Sequence, residues 1–176
     1  MLFLLLSESL FAFLEKTRFQ PIKNRDKNLK TKVNILIAED DKDDFILLKE
    51  AIEEVLPKFN IDHSRDGYEF LQKIEDGLDA DLIFLDLNMP KRNGVDCLIA
   101  VRQKKKLHST PVIIYSTSSN FEDIDACYKN GCSLYLVKPE SYKDLVTQIR
   151  KIFFRIGLPR KDLKNKEMFV VKKHEE

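Results

Sequence analysis

Between Val33 and Phe154 the chain passes five times from a short apolar run to a helical repeat, and this alternation limits the possible folds more than any other feature. The runs Val33 to Ala38, Phe59 to His63, Leu82 to Leu85, Pro111 to Tyr115 and Leu134 to Val137 are too brief for typical helices and read as strands. Helical spacing follows each of them. It appears at Phe45, Leu48, Ile52 and Val55, then at Phe70, Leu71 and Ile74, then from about Gly94 through Leu98 and Val101 to Lys104–Lys106. A fourth helix runs from about Phe121 to Asn130, and a last one carries Leu145, Ile149, Ile152 and Phe153 on one face. Pro57, Gly131 and Gly157-Leu158-Pro159 act as stops. Strictly alternating strands and helices predict a parallel sheet covered on both faces. Short, right-handed crossovers then favour an α/β, flavodoxin-like (βα)5 doubly wound sheet with strand order 2-1-3-4-5.

Charge divides the chain into three parts. Residues 1–32 read as an N-terminal extension and linker, 33–154 as the folded domain, and 155–176 as a basic C-terminal tail. The net charge of +1 conceals +6 over residues 16–32, +3 over 155–176 and −6 over 33–154. An acidic body between basic arms does not resemble a nucleic-acid groove, so direct DNA binding is not expected. The apolar runs Met1–Leu6 and Leu10–Leu14 are broken by Ser7-Glu8-Ser9, and neither approaches the roughly 20 residues that span a bilayer. Phe3, Leu6, Leu10, Phe13 and Leu14 fall at helical spacing, which suits an amphipathic docking helix or a poorly ordered extension. Cys97, Cys127 and Cys132 form no CxxC pair, and His63, His108 and His174 are scattered. Neither a disulfide framework nor a soft-metal site is indicated, and a reducing, cytoplasmic location fits best.

In the order 2-1-3-4-5, strands 1, 3, 4 and 5 are contiguous. Their carboxyl ends, where open α/β sheets bind ligands, carry Glu39 and Asp40, Asp86, Ser116 and Thr117, and Lys138. Each residue alone has an ordinary role. Strand-end acids cap helices, Ser118 or Ser119 can open the helix that follows, and a lone lysine is usually solvated. Gathered in one cleft they suggest chemistry. Crowded carboxylates repel unless a cation neutralises them, and an all-oxygen donor set favours a hard ion such as Mg²⁺. A carboxylate beside a metal, an ammonium and a hydroxyl matches the needs of phosphoryl transfer, with Asp86 as nucleophile.

Over 33–154 the chain resembles the receiver domain of two-component response regulators. The matching segments are Ile35-Leu36-Ile37-Ala38-Glu39-Asp40-Asp41, Leu85-Asp86-Leu87-Asn88-Met89-Pro90 with Asn93-Gly94, Pro111 to Ser118, and Tyr135-Leu136-Val137-Lys138-Pro139. The spacings agree as well: 46 residues from Asp40 to Asp86, 30 more to Ser116 and 22 more to Lys138. The resemblance implies that Asp86 is the phosphoacceptor. It also implies that Mg²⁺ is held by Asp40, Asp86 and the Asn88 carbonyl, with Glu39 assisting. Ser116 takes the switch-hydroxyl position, Lys138 pairs with the phosphoryl oxygens, the Thr117 N–H completes the cradle, and Tyr135 is the switch aromatic. The Lys138–Pro139 bond is expected to be cis. Glu39 and Ser116 stand where Asp and Thr are commoner, and Asn88 and Ser118 occupy positions that tune phosphoryl lifetime.

The implied partners are a histidine kinase or histidine phosphotransfer protein. A downstream protein would dock on the face built from the helix after Ser118, the fifth strand and the last helix; a homodimer is also compatible with the resemblance. Residues 155–176 are too few for a helix-turn-helix domain, so the likeness is to stand-alone receivers that act by docking. Two alternatives remain open at this stage: a receiver fold acting as a scaffold without phosphate, and a Mg²⁺-dependent phosphatase with an aspartyl nucleophile. The second wants a general acid two residues after its nucleophile, where this chain has Asn88.

Overall fold

The computed structural model describes residues 32–56, 58–156 and 169–171. The expected amphipathic helix within residues 1–32 and the stops at Pro57 and Gly157-Leu158-Pro159 lie outside the described residues. The elements are β1 Val33–Ala38, α1 Lys42–Val55, β2 Phe59–Ser64, α2 Gly67–Glu75, β3 Leu82–Leu85, α3 Gly94–Gln103, β4 Val112–Ser116, α4 Phe121–Lys129, β5 Leu134–Val137, α5 Tyr142–Ile156 and β6 Val170–Val171.

All strands are parallel, in the order β2-β1-β3-β4-β5-β6. The first five follow the expected order. The sixth comes from the tail assigned above as a basic appendage, and it extends the sheet beyond β5. Side chains alternate across each strand and feed two cores. Leu36, Ile83, Leu85 and Ile114 pack with Phe70, Leu98 and Cys127 beneath α2, α3 and α4. Ile35, Ile37, Phe84 and Ile113 pack with Leu48, Ile52, Ile149 and Phe153 beneath α1 and α5. Residues of β3 and β4 are buried throughout because helices cover both faces of these central strands.

Local chemistry fixes the helix starts above the sheet. Asp41, Asp66, Asn93 and Asn120 are N-caps whose side chains accept backbone N–H bonds. The cap of α4 is therefore Asn120, not Ser118 or Ser119. Ser118 instead donates to Asp123 Oδ2 at 2.6 Å and accepts from Asn120 N, which leaves Asn120 to reach Asp123 N. α4 closes with Gly131 at φ 82°, its N–H on the Tyr128 carbonyl and the Cys132 N–H on the Cys127 carbonyl. α3 stops at Gln103, before the three lysines. Arg102 there turns away to donate to the carbonyls of Gly131 and Thr110.

Candidate phosphoacceptor site

The register delivers the strand-end groups to one place. Ala38 pairs with Leu85 across β1 and β3, so Glu39 and Asp86 leave neighbouring strands together. Ser116 pairs with Val137, which puts the β4 hydroxyl beside the start of the Lys138 loop. Carboxylate oxygens of Glu39, Asp40 and Asp86 all lie within 4.8 Å of one another. Glu39 is 1% and Asp86 5% exposed, whereas Asp40 faces solvent. The acidic cluster is thus deep on one side and open on the other.

Lys138 answers this charge. Its ammonium lies 2.8 Å from Glu39 Oε2, 2.7 Å from Asp44 Oδ2 and 3.6 Å from Asp86 Oδ2, and 4.9 Å from the Tyr115 ring centroid. Burial alone would depress its pKa, but the bonds to Asp44 and Glu39, with the Asp86 charge, hold it above the usual lysine range. Glu39 moves the other way: burial pushes its carboxyl up to about 7 despite the bond to Lys138. Its Oε1 accepts from Asp41 N at 3.2 Å, while its carbonyl meets His63 Nε2 at 2.8 Å.

Asp86 is held by backbone. Its Oδ1 accepts from Leu87 N at 2.7 Å, and its N–H donates to the Ala38 carbonyl. The loop after it is pinned by Gly94, whose N–H reaches the Leu87 carbonyl. A Cβ on Gly94 would stand 2.2 Å from the Asp86 carbonyl oxygen and 2.8 Å from Leu87 Cα. Both are backbone atoms, so Gly94→Ala must shift the site loop. We expect a loss of about 1–3 kcal/mol in urea denaturation, together with weaker divalent-cation binding.

The remaining predicted residues lie on β4, β5 and the loops after β3 and β4. Ser116 is fully buried and its Oγ accepts from Ser118 N at 3.3 Å; Thr117 and Asn88 are exposed on the loops after β4 and β3. Tyr135 is buried, its hydroxyl donates to the Ser118 carbonyl at 2.9 Å, and burial raises its pKa to about 12. The Lys138–Pro139 peptide is trans, not cis as the resemblance implied. The opposite charges of Glu39 and Asp44 draw the ammonium inward without that isomer. Asp44 joins the site although its sequence position does not single it out. It belongs to the acidic run after β1, but only the phase of α1 shows which of those acids turns toward Lys138.

A parallel six-stranded sheet with acids and a lysine converging at its carboxyl edge defines a receiver. The response regulator receiver domain family model matches residues 35–150, and the chain belongs to that family. It is 37% identical over 128 residues to the response regulator Rcp1 of Synechocystis, covering 67% of this chain and 84% of that protein. It is 38% identical over 121 residues to the transcriptional regulatory protein CpxR of Escherichia coli, covering 69% of this chain. Only 49% of CpxR is matched, so the chain spans about half the length of that relative. Among solved structures, Mn(2+)-bound Rcp1 superposes with a TM-score of 0.63 at 32% identity, over 72% of this chain and 97% of that one. The phosphorylated cyanobacterial phytochrome response regulator RcpA gives 0.64 at 30%, over 71% and 94%.

Proposed function

We propose that Asp86 accepts a phosphoryl group from a histidine kinase or histidine phosphotransfer protein, and that the receiver of residues 33–154 signals by docking a partner when phosphorylated. The observation that carries this reading is the meeting of Glu39, Asp40 and Asp86 with the Lys138 ammonium at the ends of adjacent strands. The donor set fits a hard divalent ion. It is all oxygen, one acid is open to solvent, and Glu39 Oε2 is buried with the ammonium as a charge partner but without a well-directed hydrogen bond. Asp40, Asp86, Glu39 and the Asn88 carbonyl would hold Mg²⁺, which when bound neutralises charge on the phosphoryl oxygens.

The chain's own groups do the rest. Leu87 N–H fixes Asp86 Oδ1 and thereby orients the carboxylate for attack on phosphorus. An oxygen–phosphorus bond forms as the donor's nitrogen–phosphorus bond breaks, and the electron pair leaves with the imidazole. Lys138 and the Thr117 N–H share the phosphoryl charge, and Ser116 turns to donate to it. The added charge of roughly −1.5 to −2 biases the α4–β5–α5 face, with Tyr135 following Ser116. Asn88 stands where a phosphatase would place a general acid, which supports a signalling acceptor over a turnover enzyme. Among the described residues no helix is long and apolar enough to cross a membrane, and a cytoplasmic site of action accords with donors of this kind.

The test is direct. With acetyl phosphate and Mg²⁺, intact-mass measurement of the full chain should show one adduct of about 80 Da, lost with hydroxylamine and prevented by EDTA. No adduct, or one resistant to hydroxylamine, overturns the reading.

A further inference from the structure

The last described residues seal an edge that the first five strands leave open. Val170 pairs with Tyr135 and Val171 with Leu136, in parallel to β5. Phe169 is 1% exposed and Val171 fully buried, although they come from a polar, basic stretch. The two belong to opposite cores. Phe169 packs beneath α4 with Tyr128, edge-on at 5.0 Å, and Tyr135, tilted at 6.5 Å; Val171 packs with Leu136 on the α5 side. A strand edge plus an aromatic hollow is how sheets capture extended peptides, with backbone bonds giving affinity and side-chain pockets giving selectivity. Here the captured peptide is the chain's own.

Its position relative to the site is the second observation. Ser116 Oγ accepts from Ser118 N, the Ser118 carbonyl accepts from the Tyr135 hydroxyl, and the Tyr135 ring faces Phe169. If Ser116 turns to a phosphoryl group on Asp86, the loop that carries Ser118 follows it, and the Ser118 carbonyl then holds Tyr135 more firmly in the inward, fully buried position it has here. An inward Tyr135 keeps the hollow open for Phe169; a Tyr135 swung outward would need the space Phe169 fills.

We propose that residues 169–171 form a latch, held within the same chain on the β5 edge, whose closure and Asp86 phosphorylation stabilise each other. The proposal rests on the phosphoacceptor reading given above. Reciprocity follows from linkage: whatever factor phosphorylation adds to latch closure, closure returns to phosphoryl-state affinity. The latch also decides what can bind the β5 edge, because a partner that adds a strand there must first displace Val170 and Val171.

Hydrogen exchange of the full-length protein, read by mass spectrometry on peptides containing 169–171, tests the coupling without any substitution. With acetyl phosphate and Mg²⁺, exchange of this segment should slow by about tenfold, equally at low and high protein concentration. In the reciprocal arm, Phe169→Ala should weaken Mg²⁺-dependent binding of beryllofluoride, a phosphoryl mimic, by a similar factor. An Asp86 adduct that forms while exchange of 169–171 stays unchanged overturns the latch and leaves the phosphoacceptor reading intact. Protection that grows with protein concentration means a second copy supplies the segment, and it too overturns a latch closed within one chain. Absence of any adduct removes both readings together.

Discussion

Asp86→Asn should abolish phosphoryl uptake from acetyl phosphate, a loss of more than about 10⁴-fold that takes the adduct below detection. The substitution is nearly isosteric. An asparagine Oδ1 still accepts the 2.7 Å bond from Leu87 N, and the Asp86 N–H bond to Ala38 is a backbone bond. What disappears is the nucleophile, because an amide has no oxygen able to form a stable acyl phosphate. The same change removes one of three acids crowded within 4.8 Å, so repulsion in the metal-free protein falls. Tm without divalent ions should therefore be unchanged or slightly higher, while Mg²⁺ binding by titration calorimetry weakens. An adduct that persists in this variant would place the acceptor elsewhere. A falling Tm would mean that the 3.6 Å pairing of Asp86 with the Lys138 ammonium outweighs this repulsion.

Much of this arrangement could be read from residue order, and the reasons are physical. The strands β1, β3 and β4 are short apolar runs ending in polar groups because they are covered on both faces, so their limits coincide with a change of polarity. The site was legible for the same reason. In a parallel sheet every strand points the same way, so the residue after each run lands on the same edge. Three features were not legible. Asp44 is one of five acids between Glu39 and Asp44, and only the three-dimensional phase of α1 selects it for Lys138. β6 is two residues long in a basic stretch, below the length at which alternation has meaning, and its pairing depends on an edge distant in sequence. Asn120 displaced the serines as cap because Ser118 found a carboxylate partner in Asp123.

Lys138→Met should produce the largest change in stability, and the reason lies in Glu39. The lysine side chain is 9% and Glu39 1% exposed, so their 2.8 Å contact is largely screened from water. Removing the ammonium leaves a buried carboxylate whose ionised form has lost its counter-charge, at a cost of about 3–5 kcal/mol by comparison with other broken buried pairs. Asp44 is a third exposed and adds little to that figure, since water can replace its partner. The variant can respond by protonating Glu39, whose pKa already stands near 7 through burial. Glu39→Gln in the same molecule should therefore restore most of the loss, because a neutral amide no longer needs a cation. A double-mutant cycle in urea at pH 8 measures this coupling, and single losses that simply add would refute it. Phosphorylation separates the two roles of the lysine. In the stability-restored double variant, uptake from acetyl phosphate should remain about 10²–10³-fold below that of the unmodified protein, because no fixed positive charge then faces the phosphoryl oxygens. Recovery of uptake together with stability would make Lys138 a structural counter-ion only, and would move the burden of charge neutralisation onto the divalent ion and the Thr117 N–H.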